Sequence, residues 1–284
     1  MARVLLVGTA TLDLVFNLNR FPKPDEEMRA RSLRMVRGGN AANTAVVLSQ
    51  LGHTVEFLGT LADAPETSVI ADDFAQHGID YARCPRLSGK PPTSSIYLGR
   101  TTRSIVHYRN LPELPAKHIE SVNLPGFDWV HFEGRNVDEV ERMMYYARSH
   151  KPGLFVSLEL EKSRDNIDAL YSLADLVICS RHFAGQMGHD EPQGFLRWMR
   201  QQAPQAGIIV AWGEEGAYGL GAKDRICHAP AMPPLKVVDT LGAGDTFNAA
   251  VINAAISKTA MPELLQQACK LAGEKCGRYG FELN

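Results

Sequence analysis

Val237-Val238-Asp239-Thr240-Leu241-Gly242-Ala243-Gly244-Asp245-Thr246-Phe247-Asn248-Ala249 is the stretch on which the fold of this chain turns. A strand-like Val-Val pair runs into a glycine-rich turn, and the Ala-rich segment 249–256 predicts a helix beyond it. Strand, turn and helix in that order are the parts of an open α/β layer. Glycines let backbone N–H groups crowd around an anion, and a helix N-terminus adds partial positive charge at the same place. An aspartate inside such a turn would be repelled by a phosphate unless the phosphate's chemistry needs it. A general base for an accepting hydroxyl, beside a phosphoryl group in transfer, is such a need, and Asp245 is placed for it. The plainer alternative is that Asp245 caps the helix. The length of the surrounding pattern favours the base.

Upstream of this stretch the chain alternates short apolar runs with helical periods. Val4–Val7, Val55–Leu58, Trp129–Phe132, Leu154–Leu158, Leu176–Cys179 and Ile208–Ala211 predict buried strands. Segments 40–51, 67–76, 137–149, 194–202 and 262–277 predict helices, the first stopped by Gly52 and the second near Gly78. This order predicts a doubly wound, mostly parallel sheet with helices on both faces. Two stretches break the rhythm, about 12–37 and 92–110. They alternate polar and apolar residues, with a turn at Gly99-Arg100-Thr101-Thr102, and predict a small β-sheet lid projecting from a single unit spanning 1–284.

Gly38-Gly39-Asn40-Ala41-Ala42-Asn43 is a second element with chemistry in it. Two glycines before a helix permit close approach of a ligand. Asn40 and Asn43, three apart, share one face of the first turn, and amides that donate and accept suit sugar hydroxyls. A glycine turn with an Asn cap explains the same residues. Asp13 follows the first strand at its carboxyl end, where open α/β sheets bind ligands.

Composition excludes more than it selects. The 284 residues carry 30 basic and 32 acidic side chains, so nothing argues for nucleic acid or a membrane surface. No apolar stretch is long enough to span a bilayer, and Met1–Gly8 reads as a buried strand, not a signal peptide. The five scattered cysteines, Cys84, Cys179, Cys227, Cys269 and Cys276, predict reduced thiols in a cytoplasmic protein, without disulfides or zinc. No G-x-x-x-x-G-K-[ST] occurs, which excludes a Walker-type nucleotide site. No G-x-G-x-x-G follows the first strand, which weakens a dinucleotide enzyme.

Gly-Gly-Asn-x-x-Asn near the start and Asp-Thr-x-Gly-Ala-Gly-Asp about 200 residues later resemble the two signatures of the ribokinase-like (PfkB-like) carbohydrate kinases. Within that family, Phe21–Asp25, Trp129–Asn136, Val156–Lys162, Trp212–Gly216 and Met232–Pro234 are similar to the ketohexokinase (fructokinase) branch, and the likeness runs over essentially the whole chain. The resemblance implies an ATP-dependent kinase using Mg²⁺, and leaves K⁺ near Asp239 open. It implies Asp245 as catalytic base and the N–H groups of Gly242, Ala243 and Gly244 as the anion hole. By the same likeness Asp13, Gly39, Asn40 and Asn43 hold the sugar, and Asp25 reaches the sugar site of a partner subunit in a homodimer joined through the lid. Trp212, Gly213, Glu214, Pro233, Phe247 and Cys269 fall around the expected adenine pocket, and Arg109 is the candidate phosphate contact.

Most of the family carries an Asn-x-x-Glu element for Mg²⁺. Here the stretch is Ser180-Arg181-His182-Phe183, without a carboxylate, and the metal ligands stay unassigned. The implied acceptor is a ketohexose, D-fructose at its 1-hydroxyl. Ribose, tagatose, a modified fructose, adenosine or another nucleoside are the alternatives, as is a silent sugar-binding regulator. The intact Asp245 speaks against the last. His107 and His131 read as structural, and Arg29, Arg31, Arg34 and Arg37 as solvated lid positions.

Overall fold

The computed structural model describes residues 1–99 and 102–283. In chain order the strands are β1 (Arg3–Val7), β2 (Thr11–Asn17), β3 (Ser32–Gly38), β4 (Thr54–Leu58), β5 (Leu61–Ala62), β6 (Arg86–Leu87), β7 (Thr93–Leu98), β8 (Arg103–Tyr108), β9 (Trp129–Glu133), β10 (Phe155–Leu160), β11 (Leu176–Ser180), β12 (Gly207–Ala211), β13 (Ala217–Leu220) and β14 (Ile226–Ala229). The α-helices are α1 (Asn40–Gln50), α2 (Ser68–Gln76), α3 (Val137–His150), α4 (Arg181–Gln186), α5 (Pro192–Gln202), α6 (Ala243–Ile256) and α7 (Met261–Cys276).

The apolar runs form one eight-stranded sheet in the order β14-β13-β12-β11-β10-β9-β1-β4. It is parallel from β12 to β4, with antiparallel β13 and β14 at one edge. Such strands are buried on both faces, and their alternation shows it. Leu5 and Val7 of β1 enter the core under α3, α4 and α5, while Val4 and Leu6 enter the core under α1, α2, α6 and α7. From β1 the chain runs to β4 on one side and later returns as β9 on the other. That reversal of strand order opens a crevice at the carboxyl ends of β1 and β9, where such sheets bind ligands.

The alternating stretches form a separate four-stranded sheet, β3-β2-β7-β8. This is the lid expected from 12–37 and 92–110. Register puts Asp13, Val15, Arg34, Val36, Ser94, Ile96 and His107 on one face, and Leu14, Phe16, Leu33, Met35, Tyr97, Val106 and Tyr108 on the other. The first face carries the buried Asp13 and Ile96, whereas Leu33, Met35, Val106 and Tyr108 on the second are exposed. Gly99 N–H donates to Thr102 O (2.9 Å), while Arg100 and Thr101 of the expected turn lie outside the described residues.

Two expectations are corrected. Val237-Val238 forms no strand; Val238 and Asp239 donate their N–H groups to Cys276 O instead, and this peptide lies against the end of α7. The helix after it begins at Ala243, not Ala249, so Asp245 sits in its first turn and not in the loop. All five cysteines are free, and no helix among the described residues is long and apolar enough to cross a membrane.

Candidate active site

Gly242 ends the loop in the left-handed region (φ 79°), and a Cβ there would lie 2.2 Å from the Phe281 ring. Only glycine fits. A Cβ on Gly244 would meet nothing within 4 Å, so the space in front of this turn is open. Among the described residues the N–H groups of Gly244 and Asp245 find no backbone acceptor, while Ala243 N–H reaches Thr240 O at 3.3 Å. Unsatisfied amides at the start of a 14-residue helix make a cradle for an anion. Of the three expected anion-hole amides, Ala243 is thus the one already engaged.

Asp245 is buried, and it caps nothing. Its Oδ2 accepts from Asn43 Nδ2 at 2.5 Å, and Asn43 Oδ1 accepts in turn from Arg37 Nη1. Burial pushes the Asp245 carboxyl up to about 7; the Asn43 hydrogen bond opposes the rise, Glu161 and Glu133 add to it, and Arg37 opposes it. A carboxyl held near neutrality beside an anion cradle has the properties of a general base. Asn43 therefore orients Asp245 with one end of its amide and is itself held by the other.

Asp13 lies on β2, buried, and accepts from Thr11 Oγ1 at 2.7 Å. Burial raises its pKa, against the hydroxyls of Thr11 and Ser94 and the charge of Arg37. A Cβ on Gly38 would fall 2.0 Å from Asp13 Oδ2, and one on Gly39 (φ 95°) would fall 2.2 Å from Thr9 O. The two glycines thus bring the lid strand, the β1 loop and the start of α1 together at one point.

Asn40 points elsewhere. Its Nδ2 donates to Glu159 Oε1 (3.0 Å) and Glu161 Oε2 (3.3 Å), leaving Oδ1 to accept from a ligand. Glu133, at the end of β9, accepts the Thr9 N–H at 2.8 Å. These three glutamates gather near Asp245, and Glu159 is pushed well above the usual carboxylate range by burial and by Asp245, Glu133 and Glu161. None was singled out from the sequence. Their signal was there: each is a carboxylate closing an apolar strand at its carboxyl end.

The lid is clamped onto the loop before the cradle. Arg34 pairs with Asp239 (3.2 Å), and Arg103 Nη1 donates to Thr240 Oγ1 (3.3 Å). Arg37 is buried between Asp73 and Asn43. Arg29 and Arg31 are solvated as expected, but Arg34 and Arg37 are not, because their partners lie on distant parts of the chain. The position beside Asp239 receives a cation from the protein itself. Lys275, fully buried, donates to Asp239 O at 3.0 Å and stands 3.9 Å from Oδ2.

The expected nucleotide residues are less convergent. Trp212 is buried in the core under α3–α5, with the Arg181 guanidinium 5.4 Å from its ring, whereas Phe247 and Cys269 belong to the core on the opposite face. Gly213, Glu214 and Pro233 are exposed at that edge of the sheet. Arg109 pairs with Glu113 at 3.0 Å and lines a small cavity with Thr9, Glu133 and Arg135; its Nε and Nη2 are buried without partners among the described residues. Asp25 is exposed in the β2–β3 connection, with φ 58°. His131 is wholly buried against Ser157 Oγ (2.8 Å), and burial lowers its pKa to about 3, which makes it structural.

The model of the pfkB family carbohydrate kinases matches residues 1–283. The chain belongs to that family. It is an ATP-dependent carbohydrate kinase. Ketohexokinase from Mus musculus is 37% identical to it over 291 residues, covering 99% of this chain and 98% of that one. Ribokinase from Bacillus subtilis is 26% identical, covering 88% and 84%. Among solved structures, ribokinase from Giardia lamblia superposes with a TM-score of 0.84 at 17% identity, covering 99% and 96%. Arabidopsis thaliana ribokinase complexed with ribose and ATP gives 0.81 at 20%, covering 98% and 94%. The structural likenesses establish the ribokinase-like fold of this kinase.

Proposed function

We propose that this kinase transfers the γ-phosphoryl group of ATP to a ketohexose, D-fructose at its 1-hydroxyl. The observation that carries the chemistry is the buried Asp245, oriented by Asn43 beside the open amides at the start of α6. Asp245 takes the proton of the accepting hydroxyl, and the amides hold the phosphate as charge shifts toward it. Asp13, Asn40 Oδ1 and the backbone at Gly39 hold the sugar in this reading. Asn43 serves the base more directly than the sugar, since both ends of its amide are engaged. The choice of a ketohexose rests on the likeness to the Mus musculus ketohexokinase.

Mg²⁺ accompanies the nucleotide in this reading. The oxygen donors near Asp245 fit a hard cation, and Glu159 Oε2 is buried without a hydrogen-bond partner among the described residues. When bound, the ion neutralises charge on the phosphates. Cytosolic location agrees with five reduced cysteines. A homodimer is favoured by the apolar outer face of the lid, and would bring Asp25 toward the partner's sugar.

The test is ADP release from MgATP with fructose, tagatose, ribose, glucose, adenosine and amine-bearing fructoses, with the phosphorylated position read by NMR. Fructose 1-phosphate as the fastest product is the expected result. Turnover confined to another acceptor would move the substrate and leave the base in place. ATP hydrolysis without any sugar product would favour a regulator instead.

A further inference from the structure

Glu159 and Glu161 stand two residues apart at the carboxyl end of β10, so their side chains leave the same face of the sheet. Asn40 Nδ2 bridges them, donating to one carboxylate oxygen of each. Glu161 has Lys162 beside it at 3.3 Å, and Glu133 has Arg135 at 3.5 Å. Glu159 has no ion-pair partner among the described residues, although it is only 7% exposed, and its Oε2 accepts no hydrogen bond. A buried carboxylate oxygen left in that state is destabilising unless a ligand completes it. Hydrogen bonding inside the protein does not explain it.

A cation is the ligand that fits this oxygen, because the neighbouring groups are Glu161 and Asp245 and the incoming nucleotide is itself an anion. Carboxylates gathered where phosphates must react repel the substrate unless positive charge stands between them. No group of three or more His, Cys, Asp or Glu side chains among the described residues converges closely enough to hold a metal alone. That excludes an all-protein cage and agrees with Mg²⁺, which is held through one or two carboxylates, with phosphates and waters in the other positions.

We propose that Glu159 and Glu161, positioned by Asn40, hold the Mg²⁺ of the bound nucleotide, in place of the carboxylate absent from Ser180-Arg181-His182-Phe183. The proposal rests on the MgATP reading above and assigns its metal ligands. It makes Asn40 a positioning residue for two carboxylates as well as a sugar contact.

Mn²⁺ is the probe, followed by electron paramagnetic resonance in the complex with a non-hydrolysable ATP analogue and fructose. Glu159→Gln and Glu161→Gln should each weaken Mn²⁺ binding by about tenfold or more. Affinity for the analogue measured in EDTA should not fall, because each substitution removes a negative charge. Mn²⁺ affinities in both variants within about twofold of the parent would overturn the proposal, since losing a ligand or its partner costs more than that. If Glu159→Gln does not fold, Glu161→Gln decides, since that side chain is partly solvated and its replacement still accepts from Asn40. Failure of the kinase reading is separable, because it would appear as absent sugar turnover by the parent enzyme whatever the Mn²⁺ result.

Discussion

Asp245 pairs a functional gain with a stability cost. Its folded pKa of about 7 lies above the ordinary 3.8, so the folded state binds the proton more tightly than the unfolded chain. The stability linked to this group is therefore fully present below about pH 4 and is lost as pH rises through about 7. Replacing Asp245 by Asn removes that titration. The variant should melt above the parent at pH 8, and the gap should shrink steadily as the buffer is lowered toward pH 4. The same variant should lose turnover by about 10²–10⁴-fold, the usual worth of a positioned base. Melting curves across pH and kcat measured side by side check both halves. Retained turnover would remove the base, and a pH-independent gap would remove the raised pKa. In the parent, kcat/KM for the sugar should fall below about pH 7 as Asp245 takes up its proton; a flat profile from acid to alkaline buffer would contradict the assignment.

At the level of single elements, the two glycines of the cradle should fail differently. A methyl group at Gly242 meets the Phe281 ring and a left-handed backbone, so Gly242→Ala should destabilise the fold by about 1–3 kcal/mol through strain and overpacking and lower its melting temperature. Gly244 is helical and faces open space, so Gly244→Ala should fold at least as well, helix propensity favouring alanine by about 0.5–1 kcal/mol. Its methyl group would stand where a phosphate approaches, and ATP turnover should collapse. Differential scanning fluorimetry beside a KM for ATP separates the two, and an active Gly244→Ala would place the phosphates elsewhere. The sequence showed these glycines and the buried parallel strands clearly, because buried strands and helix starts are written in local pattern; the antiparallel edge strands β13 and β14 it did not show. It misled at Val237-Val238, where a β-branched pair looks like a strand but its backbone bonds to Cys276. It misread Arg37 as solvated and passed over Lys275, because the roles of both depend on partners from other elements that no local spacing reveals.

At the scale of the whole molecule, the lid has one face on the site and one on solvent. The inner face delivers Asp13 and Arg34. The outer face offers Leu33, Met35, Val106 and Tyr108, all at least half exposed, in register across the sheet with the stacked pair Phe16 and Tyr97. A patch of that kind on a projecting sheet invites a partner of the same chemistry, and a second copy of the lid supplies one. Charges placed at the centre of the patch, Met35→Glu with Val106→Lys, should leave the fold intact because neither side chain enters the core. Sedimentation at working concentration should then give the mass of one chain, where the parent should give two. The sugar KM should rise in parallel if Asp25 of one subunit serves the other, and Asp25→Ala should raise it in the dimer with no further effect in the separated chains. A parent that already sediments as one chain would end the dimer proposal and with it any role for Asp25 at a neighbouring site.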